Sequence, residues 1–188
     1  MVCICIFAIY NTKNNMSENK SKIYILGYMG SGKSTVGKKL AKELGYRFID
    51  LDKAIEREYK TSISLLFYKY GEETFRKLEK KELEKTKDLN NYVIATGGGT
   101  PCFFDNMQFM NTNGTTLYIN IPALGLANRL IHAKHRRPLI ENLSEEELKI
   151  FIDKQLQERE KFYRQADITY PGISVDIKRL RDTLYNKK

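Results

Sequence analysis

Residues 22–44 of the chain read KIYILGYMGSGKSTVGKKLAKEL, which is an apolar run, a glycine-rich loop and a stretch with helical periodicity. The apolar run, Lys22 to Gly27, contains β-branched residues and stops at glycine, which predicts a short buried strand. From Lys33 to Leu44 the apolar residues recur on one helical face, and Gly45 follows as a helix-ending residue. These residues predict a strand, a loop and a helix in direct succession.

The loop Gly27 to Ser34 matches the pattern G-x-x-x-x-G-K-[ST] at every position. Its glycines let backbone N–H groups surround a phosphate, and the following helix points its positive end at the same anion. Lys33 adds a charge for the β- and γ-phosphates, and the Ser34 hydroxyl can ligate Mg²⁺. The motif predicts nucleoside triphosphate binding; the alternative is a glycine-rich turn that matches by chance. The predicted triphosphate contacts are Gly30, Ser31, Gly32, Lys33, Ser34 and Thr35.

The rest of the chain alternates short apolar runs with amphipathic stretches, without internal repeats or low-complexity linkers. This alternation predicts one α/β domain over residues 22–188 with a mainly parallel sheet. Further strands are expected over 47–50, 92–96, 115–121 and 168–175, and further helices over 53–59, 62–70, 72–87, 123–131, 144–164 and 176–185.

The composition fits a globular chain whose partners are anionic. Its 188 residues are enough for one domain with a real core, and 41% of them are hydrophobic and 29% charged. The net charge of +9 points to nucleic acid, an acidic membrane or phosphate-bearing small molecules, and composition does not choose among them.

The chain has too few cysteines and histidines for a disulfide framework or a structural zinc site. Cys3, Cys5 and Cys102 give neither a disulfide framework nor a metal-ligand spacing, and neither histidine has a cysteine near it. We therefore expect a reducing, cytoplasmic compartment.

The first ten residues, MVCICIFAIY, are almost all apolar. They are too short to span a bilayer as a helix, and no basic segment precedes them as in a signal peptide. We expect residues 1–21 to be a leader outside the fold, with Met16 as the working start, and regard a membrane anchor as the alternative.

Two acidic residues, Asp50 and Asp52, follow the second predicted strand. Ligands bind at such strand ends in open α/β sheets, and alternation along an extended chain would send both carboxylates to the same side. One would then hold Mg²⁺ or its water and the other would meet a substrate hydroxyl. The alternative is a helix N-cap, because Asp52 directly precedes the helical residues from Lys53.

Two arginines and a triple glycine each admit two interpretations. Arg76 and Arg159 lie in helical stretches with glutamates nearby, so spacing alone predicts solvent-exposed arginines. Gly97, Gly98 and Gly99 follow a predicted strand, where glycine costs chain entropy, so the backbone there must closely approach something. A substrate against bare backbone and a tight turn are the two possibilities.

The densest basic cluster runs from the end of the helix predicted over 123–131 into the irregular segment at about residues 133–142. In an enzyme that uses a triphosphate, such a segment forms a lid that carries an arginine over the transferring phosphoryl group. A solvated loop and a nucleic-acid patch are alternatives, although no aromatic residues interleave with the cluster as single-strand binding requires. Its members are Arg129, His132, Lys134, His135, Arg136 and Arg137.

A phosphate loop alone fits a GTPase, a motor, a helicase or a small-molecule kinase. The chain is too short for tandem helicase domains, and it contains no NKxD-type motif for guanine. Small-molecule kinases remain.

Over Gly27 to Asp167 the phosphate loop is followed by D-x-D, F-R-x-x-E, G-G-G and R-P-L, and together these segments resemble shikimate kinases. The resemblance implies transfer of the ATP γ-phosphoryl group to the 3-hydroxyl of shikimate, a step of aromatic amino-acid biosynthesis. It also implies a three-layer P-loop kinase fold, with a five-stranded parallel sheet of order 2-3-1-4-5, helices on both faces and a mobile lid. The leader departs from the family pattern.

The resemblance further implies residue roles. Asp52 would hold shikimate hydroxyls and act as, or near, the general base. Arg76 and Arg159 would grip the carboxylate, because a planar guanidinium makes paired hydrogen bonds to it. The triple glycine would add backbone contacts to the substrate. Ser34 and Asp50 would position Mg²⁺, Lys33 and the lid residue Arg137 would neutralise phosphoryl charge, and Arg129 would lie near the adenine.

We therefore expect a monomer that uses shikimate and ATP and binds neither nucleic acid nor membrane. Two other functions stay open from the residues alone. One is a kinase of gluconate or a nucleotide, and the other is a nucleotide-binding protein without kinase activity that uses its positive charge on RNA.

Overall fold

A computed structural model of the chain describes residues 21–132, 140 and 143–186. Most of the predicted leader and most of the predicted lid, including Arg137, lie outside the described residues. The strands are β1 (Lys22–Leu26), β2 (Arg47–Asp50), β3 (Tyr92–Ala95), β4 (Thr115–Asn120) and β5 (Ile168–Pro171). The helices are α1 (Lys33–Leu44), α2 (Leu51–Tyr59), α3 (Ile63–Glu84), α4 (Asn106–Asn113), α5 (Ala123–Ile131), α6 (Glu145–Tyr163) and α7 (Ile177–Asn186), with a 3₁₀ turn at Thr100–Cys102.

The five strands form one sheet in the order β2-β3-β1-β4-β5, with every neighbouring pair parallel. The predicted strand order is confirmed. Ala95 of β3 pairs with Ile25 of β1 on one side and with Asp50 of β2 on the other. The carboxyl ends of β2, β3 and β1 therefore lie side by side, and the segments that follow them share one edge of the sheet.

Helices cover both faces of the sheet, as predicted. Along β1, Ile23 and Ile25 belong to an apolar cluster with residues of α1, α5, α6 and α7. Tyr24 and Leu26 point to the opposite face and pack with residues of α2, α3 and α4. This alternation of side chains on a central strand produces the three layers.

The start of α2 differs from the prediction. Asp50 is its N-cap, with the carboxylate accepting from the Lys53 backbone N–H at 3.2 Å. The helix therefore begins at Leu51, and Asp52 lies in its first turn. The predictions that Asp52 caps the helix, and that both carboxylates share a side through strand alternation, are wrong, because the aspartate that ends β2 starts the helix at once.

Other boundaries also differ. The predicted break between a helix over 62–70 and one over 72–87 is confirmed: within α3, Gly71 has a φ of 76° and a ψ of 171°, which are not helical, and only the end of the second helical part differs, at Glu84 instead of residue 87. β5 ends at Pro171, not residue 175. No element was predicted over 100–114, where Met107 and Met110 are buried within the asparagine-rich α4, because this short helix has weak apolar periodicity. None of the described helices combines the length and apolarity needed to cross a bilayer.

Candidate active site

The phosphate loop joins β1 to α1 at the carboxyl edge of the sheet. Gly30 and Gly32 have φ values of 79° and 90°, a left-handed conformation that L side chains rarely adopt. Gly32 is also the N-cap of α1, so the first N–H groups of this helix face the loop without a capping side chain. The turn and the start of α1 therefore offer backbone N–H donors of the kind that bind a phosphate group.

Three polar side chains of the loop lie close to its backbone and to β2. The Lys33 ammonium donates to the carbonyls of Gly27 and Tyr28 at 2.8 and 3.0 Å. The Ser34 hydroxyl donates to Asp50 Oδ2 at 2.5 Å. The Ser31 hydroxyl is buried and has no hydrogen-bond partner among the residues that the structure describes. The loop, the first residues of α1 and the end of β2 therefore bring together an ammonium, two hydroxyls and a carboxylate.

The Ser34 and Asp50 pair fits a magnesium ion. Mg²⁺ takes oxygen ligands and in kinases uses one or two protein ligands, with phosphates and waters completing its shell. Within the described ranges, no group of three or more histidine, cysteine or acidic residues could hold a metal by itself. A metal at this position would therefore depend on the phosphates of the nucleotide.

Arg76 of α3 is buried next to the triple glycine, with 7% of its surface exposed. Its guanidinium donates to Glu79 Oε2 at 2.8 Å and, from two nitrogens, to Glu72 Oε1 at 3.0 and 3.2 Å. The ring of Phe103 lies 4.2 Å from its Cζ. The interpretation of Arg76 as a solvent-exposed arginine is wrong, although two glutamates expected as partners do pair with it.

Glu79 is a site residue that the sequence predicted only as a partner of a solvent-exposed Arg76. It is 1% exposed and accepts a 2.5 Å hydrogen bond from the Thr100 hydroxyl. Burial raises the pKa of this carboxyl, Arg76 and Thr100 oppose the rise, and the negative charge of Asp52 adds to it. The F-R-x-x-E spacing indicates the contact between Arg76 and Glu79, because residues three apart on a helix are neighbours.

The triple glycine makes room for the site's own side chains and for the phosphate loop. A Cβ at Gly97 would overlap Glu79 Oε1 and lie 2.9 Å from Asp52 Oδ1. A Cβ at Gly99 would lie 2.7 Å from both terminal nitrogens of Arg76. A Cβ at Gly98 would lie 3.2 Å from the backbone nitrogen of Met29. The backbone of the triple glycine does lie very close to other groups, as the sequence predicted. In this structure those groups are protein side chains and the backbone of the phosphate loop.

Arg159 of α6 approaches the same edge from the other side. It is half-buried, its Cζ lies 5.3 Å from the centre of the Tyr28 ring, and it forms no salt bridge with any described residue. Tyr163, one turn further along α6, donates its hydroxyl to the Gly98 carbonyl at 2.5 Å. Burial raises the pKa of Tyr163, so its hydroxyl keeps the proton it donates. No local pattern in the sequence indicated the contact between Tyr28 and this arginine.

Arg129 ties the phosphate loop to the segment after β5. Its guanidinium donates to the Ser31 carbonyl at 3.2 Å and to the carbonyls of Gly172 and Ile173 at 2.9 and 3.0 Å. Its placement near the adenine stays a prediction, as does the lid role of Arg137, which lies outside the described residues.

The site thus has two halves at one sheet edge: the phosphate loop with Ser34 and Asp50, and the side-chain cluster around the triple glycine. The first half suits a nucleotide phosphate chain. The second half offers two guanidinium groups and a carboxylate, which suit a small substrate that carries both a carboxylate and hydroxyl groups.

Comparison with known proteins agrees with this arrangement. A family model described as "Shikimate kinase" matches residues 29–174. A shikimate kinase of Parabacteroides distasonis is 48% identical over 149 residues, which cover 79% of this chain and 86% of that protein.

Solved structures give the same result. The crystal structure of shikimate kinase from Bacteroides thetaiotaomicron matches with a TM-score of 0.85 at 39% identity, covering 87% of this chain and 98% of that one. Shikimate kinase from Acinetobacter baumannii, solved in complex with shikimate, matches with a TM-score of 0.78 at 32% identity, covering 88% and 91%. The resemblance seen in the sequence is therefore confirmed, and this chain belongs to the shikimate kinase family.

Proposed function

We propose that this chain transfers the γ-phosphoryl group of ATP to the 3-hydroxyl of shikimate, giving shikimate 3-phosphate and ADP. The observation that carries the proposal is the placement of Asp52 and buried Arg76 against the triple glycine, Asp52 at Gly97 and Arg76 at Gly99, at the sheet edge next to the phosphate loop. This geometry supports a carboxylate-bearing substrate whose hydroxyl faces a bound nucleotide. Family membership supports shikimate as that substrate.

Two arginines bind the substrate carboxylate in this proposal. Arg76 has five N–H donors, and the pairs with Glu72 and Glu79 engage three of them. Arg159 contributes a second guanidinium with no salt bridge among the described residues. A carboxylate between them would receive charge-assisted hydrogen bonds from both sides.

Asp52 receives the proton in the proposed reaction. The 3-hydroxyl oxygen forms a bond to the γ-phosphorus as the bond from that phosphorus to the β-phosphate oxygen breaks. The hydroxyl proton passes to the Asp52 carboxylate, and ADP leaves with the electron pair of the broken bond. Lys33 and Arg137 offset the charge on the phosphoryl oxygens, and the backbone of the triple glycine adds contacts to the substrate.

Mg²⁺ completes the proposed nucleotide site. Ser34 and Asp50 would hold it, as their oxygen donors and their position beside the loop allow. When bound, the ion offsets negative charge on the β- and γ-phosphates. The backbone N–H groups of the loop and the buried Ser31 hydroxyl would hold the phosphates themselves.

We further propose a monomeric, single-domain enzyme over residues 22–188 in the cytoplasm, with ATP and shikimate as its ligands and neither nucleic acid nor membrane as a partner. The one continuous sheet and the small-substrate geometry of the site support this proposal.

A coupled assay of ADP release from Mg-ATP tests the function. Release should depend on shikimate, and gluconate and AMP serve as controls. Release with gluconate or AMP in place of shikimate would assign a different kinase. Tight ATP binding without release in any of the three reactions would indicate a nucleotide-binding protein, for which RNA retention on filters at low salt is the next measurement.

A further inference from the structure

Helix α6 presents a polar and aromatic stripe to the two loops of the active site. Gln155, Arg159 and Tyr163 are spaced four residues apart, so their side chains lie above one another on one helical face. Tyr163 reaches the triple glycine through the Gly98 carbonyl. The other two contact Tyr28 of the phosphate loop.

Tyr28 belongs to the nucleotide half of the site through its backbone. Its carbonyl accepts from the Lys33 ammonium at 3.0 Å and from the Ser31 backbone N–H at 3.2 Å. These contacts fix Tyr28 within the turn of the phosphate loop. Its backbone position is therefore part of the structure that surrounds the phosphates.

The side chain of Tyr28 belongs to the substrate half. It is 1% exposed, and its hydroxyl donates to Gln155 Oε1 at 2.9 Å. The Cζ of Arg159 lies 5.3 Å from the ring centre, within the distance of about 6 Å at which a cation is attracted to a ring face. One residue thus links a nucleotide-binding loop to a substrate-binding arginine.

The ring is suited to orienting the guanidinium. An aromatic face attracts the flat face of a guanidinium, which leaves the N–H donors at the edge of the plane to bind a carboxylate. Arginine also has a large rotamer freedom that is lost on binding, and a preformed contact reduces this loss when the substrate arrives.

We propose that Tyr28 is a positioning residue that holds Arg159 ready for the substrate carboxylate, so that a residue of the nucleotide loop controls substrate affinity. The inference rests on the proposed function, in which Arg159 binds the carboxylate of shikimate. Tyr28 itself contacts neither reacting group in this proposal and acts through Arg159.

Substitution of Tyr28 should separate the two substrates kinetically. In Tyr28→Leu the ring is lost, and we expect the KM for shikimate to rise about five- to twenty-fold while the KM for ATP changes less than about twofold. Tyr28→Phe keeps the ring and loses the hydrogen bond to Gln155, so its KM for shikimate should stay within about threefold of the wild-type value. Tyr24→Phe is the matched control, because it removes another buried tyrosine hydroxyl, bonded to Thr86 and remote from Arg159.

Two further readouts distinguish positioning from general damage to the fold. With the methyl ester of shikimate, which lacks the carboxylate charge, Tyr28→Leu and the wild type should have the same KM. In an Arg159→Ala background, Tyr28→Leu should not raise the shikimate KM further, because the two residues act on one interaction. If Tyr28→Leu fails to fold, Tyr28→Met, which fills more of the buried volume, replaces it in the same measurements.

The possible results are distinct. An equal rise in both KM values, or a rise that persists with the methyl ester or in the Arg159→Ala background, would overturn the role of Tyr28. If the wild-type enzyme is active and Tyr28→Leu has an unchanged KM for shikimate, the role of Tyr28 is also overturned. Absence of shikimate-dependent ADP release by the wild-type chain would instead overturn the proposed function on which the inference rests.

Discussion

Arg76 and Glu79 form a buried ion pair one helical turn apart, with Nη1 of the arginine 2.8 Å from Oε2 of the glutamate. Removing two charges from water costs about as much free energy as their attraction returns, so such a pair contributes little net stability. Its effect here is geometric: Glu79 holds the guanidinium against Gly99, where a Cβ would overlap it. The pair therefore contributes more to the position of Arg76 in the site than to the stability of the fold.

The substitution Glu79→Gln tests this role. It keeps the size of the side chain and removes the charge that fixes Arg76. Because Arg76 then stays buried with one fewer counter-charge, we expect the free energy of unfolding to fall by about 1–3 kcal/mol, although the intact pair adds little net stability. The shikimate KM should rise about tenfold, with the ATP KM little changed. Glu84→Gln, on the same helix with 53% of its side chain exposed, is the control and should alter neither quantity. A destabilised Glu79→Gln enzyme with a normal shikimate KM would show that the pair is only structural.

The substitution Asp52→Asn tests the proton acceptor. An amide has the same size but does not take up the proton of the 3-hydroxyl, so we expect kcat to fall about 10²- to 10⁴-fold. The dissociation constant of ATP, measured by calorimetry, should stay near the wild-type value because Asp52 lies beside Gly97 and not in the phosphate loop. Turnover equal to that of the wild type would remove Asp52 from the chemistry.

The elements of this fold that could be predicted are those whose signals are local. The glycines of the phosphate loop and the capping box formed by Ser144 and Glu147 specify where α1 and α6 begin, and both helices start as expected. Strand order required more than local signals. It came from the family resemblance, since apolar runs do not specify which strands are neighbours.

The burial of Arg76 illustrates what the sequence does not show. Glutamates three and four residues away can pair with an arginine on a helix whether that arginine is exposed or buried, so they do not predict its burial. Here Phe103 and Gly99, more than twenty residues along the chain, enclose the guanidinium. The contact between Tyr28 and Gln155 spans 127 residues and has no local signal either. Such burial depends on tertiary packing, which spacing along one helix does not report.

Alanine substitutions at Gly98 and Gly99 should raise the KM values of different substrates. Neither has a positive φ, so the added methyl group acts through space alone. In Gly98→Ala it would press on the backbone nitrogen of Met29, and we expect the ATP KM to rise more than the shikimate KM. In Gly99→Ala it would displace the Arg76 guanidinium, and we expect the reverse. Steady-state kinetics of both variants test this contrast, which equal effects on both substrates would contradict.

Asp50 combines a structural and a proposed metal-binding role, and two substitutions separate them. Asparagine is as good an N-cap as aspartate, so Asp50→Asn should keep stability within about 0.5 kcal/mol, whereas Asp50→Ala should lose about 1 kcal/mol. Both lose the carboxylate that accepts from Ser34, and both should need more Mg²⁺ for half-maximal activity. Thermal melting and a magnesium titration of activity measure the two effects. An unchanged magnesium requirement in Asp50→Asn would exclude the carboxylate from the metal site.

Cys102 lies in the 3₁₀ turn after the triple glycine and should react slowly with thiol reagents. Burial raises the pKa of its thiol from 9.0 to about 11, although the positive charges of Arg159 and Arg76 oppose the rise. The thiolate is the reactive form, so at pH 8 the folded protein should react with iodoacetamide about a hundredfold more slowly than a cysteine of ordinary pKa. The rate should rise about tenfold per pH unit until the pH approaches the raised pKa.

Mass spectrometry of the labelled peptides follows Cys102 separately from Cys3 and Cys5. The chain unfolded in urea is the internal control, because the same thiol then has its ordinary pKa and should react at the ordinary rate. If Cys102 reacted as fast in the folded protein at pH 8 as in urea, the two arginines would cancel the effect of burial on the thiol pKa. The thiol would then lie in a more positive environment than its position beside Arg76 and Glu79 implies.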